Sequence, residues 1–175
     1  MTASKILLIR HAEKASADGS VQGVGPEGAD DPHSLTVRGW QRAGALVHFL
    51  LNSISSTGTP SLFGASPRSF EPSKRAIQTL SPLADVLGVP IHQDFAVGEE
   101  LQLAAAILQT DGLVICSWEH NTIHLIGNAI VGNDRDVPQS WPGERFDVVW
   151  EFSLNGGAWS FTASGQHLLA GDDDV

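Results

Sequence analysis

An arginine and a histidine stand side by side directly after the first apolar segment of the chain. Residues 5–9 read Lys-Ile-Leu-Leu-Ile, which is typical of a buried strand, and Arg10 and His11 follow. A guanidinium group binds phosphate oxygens with a fork of donors, and a neutral imidazole has a nitrogen lone pair that can attack phosphorus. The pair predicts a phosphate site with a nucleophile, and the plain alternative is an ordinary loop arginine and histidine.

Three further segments carry polar side chains beside apolar patterns. Residues 34–43 read Ser-Leu-Thr-Val-Arg-Gly-Trp-Gln-Arg-Ala, residues 73–79 read Ser-Lys-Arg-Ala-Ile-Gln-Thr, and residues 118–121 read Trp-Glu-His-Asn after an apolar run. With Arg10-His11, these segments resemble the histidine phosphatase superfamily, also called the phosphoglycerate mutase-like fold. Its motifs are Arg-His-Gly or Arg-His-Ala, Leu-Thr-x-x-Gly-x-x-Arg or -Gln with Ala, Ser…Arg-Ala-x-x-Thr, and a later second histidine. All four occur here in the family order.

The resemblance implies a phosphatase that works through a phosphohistidine. His11 matches the family nucleophile, whose ring attacks phosphorus before water attacks the intermediate. Arg10 and Arg75 match the arginines that clamp the phosphoryl oxygens, where negative charge must be stabilised in the transition state. His120 matches the second histidine and is expected to donate to the same oxygens.

A leaving alkoxide needs a proton, and the sequence offers two candidate acids. Glu99 and Glu100 open the helical pattern after residues 90–92, the region where family members carry their acid. Glu99 fits the family register better than Glu100. The alternative is that both carboxylates only favour the start of a helix, where the helix dipole stabilises negative charge.

Departures from the family pattern bear on which branch of the family the chain resembles and on which arginine contacts substrate. Asn121 stands where the acid phosphatase branch has an aspartate after the second histidine, so that branch is disfavoured. Ala12-Glu13-Lys14 lacks the nearby asparagine of the mutases, which disfavours a mutase. Arg75 lies nine residues after Ser66 instead of about four, so Arg68 is an alternative contact for substrate.

His120 and His124 are four residues apart, a spacing that suits a metal on one helix face. The residues between them include no glutamate, and no cluster of cysteine or aspartate offers a third ligand. The sequence therefore predicts neither a metal nor another cofactor.

Composition restricts the class of protein. The chain has 175 residues, of which 42% are hydrophobic, and it carries 10 Lys and Arg against 20 Asp and Glu. We expect one domain over residues 1–175. The acidic balance disfavours nucleic acid and anionic membranes as partners, and no apolar run is long enough to span a bilayer. A cytoplasmic protein is expected, with Cys116 as a small core residue.

Strand and helix patterns alternate along most of the chain. Strands are predicted at residues 6–9, 62–65, 90–92, 113–117 and 147–152, and helices at residues 37–51, 75–87, 101–108 and 121–131. This alternation favours a three-layer α/β/α fold with a mostly parallel central sheet. The turn signal Asn155-Gly156-Gly157 predicts a C-terminal antiparallel hairpin at the sheet edge. Residues 14–34 are predicted as a loop and residues 171–175 as a frayed acidic tail.

The predicted function is hydrolysis of a phosphomonoester through a phosphohistidine on His11. The substrate is a small phosphorylated molecule or a phosphoprotein, including one that carries phosphohistidine. Two alternatives stay open at this point: a phosphoglycerate mutase-like phosphotransferase, and a module that binds phosphorylated ligands without catalysis.

Overall fold

The computed structural model describes residues 3–175, apart from the side chains of residues 55 and 56. Six strands and four helices make up the regular structure of this part. In chain order they are β1 (Ala3–Arg10), α1 (Val37–Thr57), β2 (Ser61–Gly64), α2 (Arg75–Leu87), β3 (Ile91–His92), α3 (Glu100–Gln109), β4 (Gly112–Trp118), α4 (Ile123–Val131), β5 (Val148–Asn155) and β6 (Ala158–Gly165). The predicted strands and helices are confirmed, although α1 continues to Thr57 and α4 begins two residues later than expected.

The strands form one sheet in the order β3-β2-β4-β1-β5-β6. Strands β3, β2, β4 and β1 run parallel, and β5 pairs antiparallel with β1. Strand β6 closes that end as an antiparallel partner of β5. The mostly parallel sheet with a hairpin at one end is therefore confirmed.

Successive side chains of β1 pack into two different apolar clusters, because side chains along a strand point alternately to the two faces of the sheet. Ile6 and Leu8 pack in a cluster with residues of α3 and α4. Leu7 and Ile9 pack in a second cluster with residues of α1 and α2. The three-layer α/β/α prediction is confirmed by this division. Cys116 of β4 is fully buried in the first cluster, as expected of a core residue.

The hairpin turns on two glycines. Gly156 and Gly157 have φ values of 59° and 85°, which is the left-handed region that side chains disfavour. Two consecutive residues in this region give the tight turn whose twist suits paired strands. The glycine pair thus fixes where β5 ends and β6 begins.

The expectation of a frayed tail at residues 171–175 is wrong. The Asp172 side chain is only 3% exposed, and both of its oxygens accept hydrogen bonds from Arg42, at 2.9 and 2.7 Å. Asp173 donates its backbone amide to Asp147 Oδ2 at 3.0 Å. A buried guanidinium needs carboxylate partners, and the acidic segment supplies one.

Within the described residues, no helix combines the length and the apolar character needed to cross a bilayer.

Candidate active site

A cavity of about 280 Å³ lies at the carboxyl ends of the parallel strands. In parallel α/β sheets this edge is where loops bring distant residues together. The polar residues that line the cavity are His11, Lys14, Ser66, Glu71, Ser73, Arg75, Glu119, His120 and Asn121. Three of the residues predicted from sequence, His11, Arg75 and His120, therefore face one space.

His11 is 5% exposed and its ring is held in one tautomer. Nδ1 lies 2.7 Å from the backbone carbonyl oxygen of Ala12. A carbonyl only accepts, so Nδ1 carries the proton and the lone pair is on Nε2. Burial, and to a lesser extent the charges of Arg75, Arg10 and His120, lower the pKa of His11 from its ordinary value to about 3, although the hydrogen bond to Ala12 opposes this shift. The ring is neutral at physiological pH, which is the state a nucleophile requires.

Backbone contacts on both sides of His11 fix its position at the strand end. Its amide donates to the carbonyl oxygen of Trp118 at 2.9 Å, which continues the pairing of β1 with β4. The amide of Ala12 donates to Thr79 Oγ1 at 2.8 Å, and that hydroxyl donates to the carbonyl oxygen of Arg75 at 2.7 Å. The threonine of the Arg-Ala-x-x-Thr motif thus connects the first turn of α2 to the nucleophile.

The Leu-Thr-x-x-Gly motif packs the start of α1 against the same loop. Thr36 caps α1 by accepting from the amide of Gly39 at 3.1 Å, and the Thr36 amide donates to the carbonyl oxygen of Glu13 at 2.9 Å. A Cβ on Gly39 would lie 2.6 Å from that oxygen, so only glycine permits the approach. Gln78 of α2 accepts from the amide of Leu35 at 2.9 Å. These contacts hold the segment that follows the nucleophile.

Arg75 stands at the start of α2 with part of its donor set unused. NH1 donates to Ser73 Oγ and NH2 donates to the carbonyl oxygen of Pro32, both at 3.0 Å. Nε is buried and has no hydrogen-bond partner among the described residues. Burial lowers the pKa of Arg75, and the more distant charges of Glu71 and Asp31 oppose the shift only in part. An anion in the cavity would compensate this buried charge.

Arg10 is buried and is not among the residues that line the cavity. NH1 donates to the carbonyl oxygens of Gly143 at 3.3 Å and Arg145 at 3.2 Å, and NH2 donates to Glu144 Oε2 at 3.3 Å. The guanidinium carbon lies 4.0 Å from the centre of the Phe146 ring. Nε has no partner among the described residues. Burial lowers the pKa of Arg10, although Glu144 opposes this shift.

His120 and Glu119 follow β4 and enter the cavity together. The His120 Nδ1 atom is buried without a hydrogen-bond partner and lies 3.7 Å from Glu119 Oε2, too far for a hydrogen bond. Burial and then the charge of Arg10 lower the pKa of His120, so its ring tends to be neutral. Glu119 Oε2 accepts from the backbone amide of Asn121 at 3.0 Å and from its side-chain amide at 2.9 Å.

Glu99 lies outside the cavity lining. Its side chain is 46% exposed, and Oε2 accepts from the amide of Ala96 at 2.7 Å and lies 3.9 Å from Arg68 NH2. Arg68 also lies outside the lining, where NH1 donates to Ser66 Oγ at 2.5 Å. The structure therefore brings Arg75, and not Arg68, to the cavity.

Glu100 is a buried carboxylate that joins α3 to the end of β4. Its Oε1 accepts from the Gly98 amide at 2.9 Å, from Trp118 Nε1 at 3.1 Å and from Thr122 Oγ1 at 2.6 Å. Burial alone would raise the pKa of this carboxyl, but the hydrogen bonds from Thr122 and Gly98 lower it on balance. Glu100 does not line the cavity, and its contacts serve the packing of α3 against β4.

The residues described here contain no group of three His, Cys, Asp or Glu side chains that could hold a metal ion. His124, the possible metal-binding partner of His120, is not among the residues that line the cavity. The donors that do face the cavity include the Arg75 guanidinium, the Lys14 ammonium and the His120 imidazole, which suit an anion.

Unsatisfied hydrogen-bonding atoms concentrate at this site. Buried polar groups in folded proteins nearly always have a partner, so those without one call for an explanation. Across the described part of the chain, the buried side-chain atoms that lack a partner are Arg10 Nε, Arg75 Nε, Ser117 Oγ, Glu119 Oε1, His120 Nδ1 and His124 Nδ1. Three of these atoms belong to residues that line the cavity, and Arg10 directly precedes His11.

Two carboxylates in the lining, Glu71 and Glu119, were not among the predicted site residues. Glu71 lies in a loop without a recognisable motif. A glutamate directly before the second histidine was the available signal for Glu119. Sequence spacing could not show that its carboxylate enters the cavity.

Comparison with known proteins agrees with this geometry. No family model matches the sequence, and no curated protein matches it. Among solved structures, the putative phosphohistidine phosphatase SixA from Agrobacterium tumefaciens matches with a TM-score of 0.55 and 19% identity, over 91% of this chain and 96% of that chain. A phosphoserine phosphatase from Entamoeba histolytica matches with a TM-score of 0.55 and 14% identity, over 94% and 97%.

A mycobacterial glucosyl-3-phosphoglycerate phosphatase matches with a TM-score of 0.54 and 13% identity, over 91% of this chain and 97% of that chain. At such identities the likeness establishes the fold. It covers nearly the whole of each chain. The chain has the histidine phosphatase fold that its motifs predict.

Proposed function

We propose that this protein is a phosphatase that hydrolyses a phosphomonoester through a phosphohistidine intermediate on His11. The observation that carries the proposal is the state of that ring. His11 is neutral, its Nδ1 proton is held by the Ala12 carbonyl, and its Nε2 lone pair is free in a cavity that it shares with Arg75 and His120. A nucleophile of this kind beside cationic and neutral donors suits attack on phosphorus.

The unpartnered donors support binding of the phosphoryl group. Arg75 Nε, His120 Nδ1 and Arg10 Nε each have hydrogen-bonding capacity that no described residue satisfies. A phosphoryl group offers three oxygens, and charge-assisted bonds to it are stronger than neutral ones. Binding would also relieve the cost of the partly buried, incompletely paired guanidinium group of Arg75.

In the first step, His11 Nε2 attacks phosphorus and the bond to the leaving oxygen breaks. In the second step, water attacks the phosphohistidine and the bond between Nε2 and phosphorus breaks, which releases inorganic phosphate. The Ala12 carbonyl stabilises the positive charge that the ring carries in the intermediate, because it accepts from Nδ1. Thr79 keeps Ala12, and with it this carbonyl, in place.

Hydrolysis of p-nitrophenyl phosphate by the parent and by His11→Ala tests the proposal. We expect the variant to lose more than about 10³-fold in turnover, because no other group supplies the covalent route. A radiolabelled aryl phosphate, quenched in alkali to preserve phosphohistidine, should label the parent and not the variant. His124→Ala is the matched control, since this histidine lies outside the cavity lining and should keep the parent's turnover.

Turnover of His11→Ala within tenfold of the parent would exclude the nucleophile. Phosphate binding without any turnover by the parent would instead favour a non-catalytic module. The structural neighbours supply a first substrate panel: a phosphohistidine peptide, phosphoserine and a glucosyl phosphoglycerate. Net transfer of label to a second substrate hydroxyl, in place of release as inorganic phosphate, would favour a phosphotransferase.

A further inference from the structure

Glu119 differs from the other unpartnered groups at the cavity because it accepts hydrogen bonds instead of donating them. Its side chain is 19% exposed, and its Oε2 is occupied by the two amide groups of Asn121. Oε1 is buried and has no partner among the described residues. A buried acceptor without a donor is costly, so this oxygen is expected to meet a proton or a donor when the site is in use.

A bound phosphoryl group would lie close to the Glu119 side chain, because both would share a cavity of about 280 Å³. Like charges repel each other in a partly buried site, and a proton between them removes that repulsion. Arg75 and His120 line the same cavity and would hold the phosphoryl oxygens. The buried Oε1 of Glu119 is then the acceptor that could exchange a proton with the leaving oxygen or with water.

We propose that Glu119 is the catalytic acid that protonates the leaving oxygen and then the base that activates water. The inference rests on the proposed phosphatase function. When the bond from phosphorus to the leaving oxygen breaks, its electron pair takes the proton of Glu119, which leaves an alcohol, phosphohistidine and a carboxylate. The carboxylate then takes a proton from the attacking water. The bond between phosphorus and His11 Nε2 breaks, its electron pair returns to nitrogen, and phosphate leaves.

The two acids predicted from sequence fit this role less well. Glu99 lies outside the cavity lining with a side chain that is 46% exposed, and Glu100 is held as a buried carboxylate by three donors. Glu71 does line the cavity, but it is exposed on a loop, where water screens its charge. Glu119 combines a place in the cavity with a buried oxygen that nothing else uses.

The test compares Glu119→Gln with the parent on an alkyl phosphate and on p-nitrophenyl phosphate. Glutamine keeps an oxygen that accepts from the Asn121 amide, so the loop stays in place. Turnover of the alkyl phosphate should fall about 10²- to 10⁴-fold, the usual contribution of a general acid. The first burst of p-nitrophenol should keep its rate within about threefold, because this leaving group barely needs a proton. Turnover after the burst should slow, because attack by water has lost its base.

Glu71→Gln is the matched control, since it removes a carboxylate from the same cavity lining and should lower alkyl phosphate turnover less than about threefold. A burst of one p-nitrophenol per protein molecule also counts correctly folded sites in each variant.

Alkyl phosphate turnover of Glu119→Gln within threefold of the parent would overturn the inference. A selective loss in Glu99→Gln instead would move the role to Glu99. If the parent itself shows no His11-dependent turnover, the proposed function has failed, and the two failures are therefore distinguishable.

Discussion

Arg42, which is buried, and Arg75, which is partly buried, differ in whether carboxylates compensate their charge. Arg42 of α1 donates to both oxygens of Glu13, to Gln166 at 3.0 Å and to both oxygens of Asp172. All three of its nitrogens have partners. Arg75, at the cavity, bonds only a hydroxyl and a backbone carbonyl, and its Nε has no partner among the described residues.

The pKa values of these arginines follow the same division. Burial would lower the pKa of Arg42, but the hydrogen bonds to Asp172 and Glu13 outweigh it and raise the pKa above its ordinary value. Burial lowers the pKa of Arg75 because no carboxylate bonds to it. A satisfied guanidinium stabilises the fold, whereas an unsatisfied one is ready to bind an anion. Mutation of Arg42 should therefore change mainly stability, and mutation of Arg75 should change mainly turnover and anion binding.

The largest effect is expected for Arg42→Ala, as a loss of about 3–5 kcal/mol in the free energy of unfolding. The reason is that the variant leaves the buried Glu13 and Asp172 carboxylates with only the exposed Arg38 as a nearby cation. Urea denaturation of the parent and the variant measures it. Arg38→Ala is the control, because this arginine is 46% exposed and lies 3.3 Å from the same Glu13, and its removal should cost less than about 1 kcal/mol. Equal losses in both variants would contradict the distinction.

Arg75→Ala should show the opposite pattern. We expect turnover to fall about 10²- to 10³-fold and vanadate to inhibit less well, because one charge-assisted donor to the transition state is lost. The free energy of unfolding should change by no more than about 1 kcal/mol, since relief of a buried charge offsets two lost hydrogen bonds. Arg68→Ala is the control. Unchanged vanadate inhibition in Arg75→Ala, together with weakened inhibition in Arg68→Ala, would make Arg68 the phosphate ligand.

Thr79→Val tests whether positioning of the nucleophile can be separated from binding of phosphate. The variant keeps the shape of the side chain but leaves the Ala12 amide without an acceptor, which should cost about 1–3 kcal/mol of stability. Turnover should fall by up to about 10²-fold, because Ala12 also orients His11. Thr79→Ser should restore both properties. A variant with normal turnover would show that His11 is held by its other contacts alone.

The contributions of His11 and Asp172 to stability should be lost in different pH ranges. In the folded protein burial lowers the pKa of His11 from its ordinary 6.5 to about 3, so between these values only the unfolded chain binds this proton. Stability contributed by the neutral ring is complete above pH 6.5 and falls as the pH drops toward 3, by up to about 1.4 kcal/mol per pH unit. The Asp172 carboxyl has a lowered pKa, chiefly through Arg42, so its contribution is complete above 3.8 and is lost only below that value.

Denaturation of the parent and of His11→Gln at several pH values between 4 and 7 measures the first effect. The free energy of unfolding of the parent should decline more steeply toward low pH than that of the variant. Parallel curves for the two proteins would show that the ring gains no charge on unfolding in this window.

The sequence was sufficient for the layers of the fold and for three residues of the cavity. Strands such as β1 are apolar on both faces, which is typical of the centre of a parallel sheet, and the motifs mark the loops that meet at its edge. The Arg42 cluster was missed because its partner Asp172 lies 130 residues away in a run of aspartates that looked like a solvated tail. The place of Glu119 was missed because it depends on the path of one loop after β4.

The buried position of Cys116 bears on whether oxidants could affect the cavity. The thiol is fully buried in β4, and burial raises its pKa, so it stays protonated and out of reach of peroxide. The chain has no second cysteine, and the proposed nucleophile is a ring nitrogen. Oxidants that inactivate thiol-dependent phosphatases thus have no sulfur atom to attack at this cavity. The proposed phosphoryl chemistry would therefore not depend on a thiol.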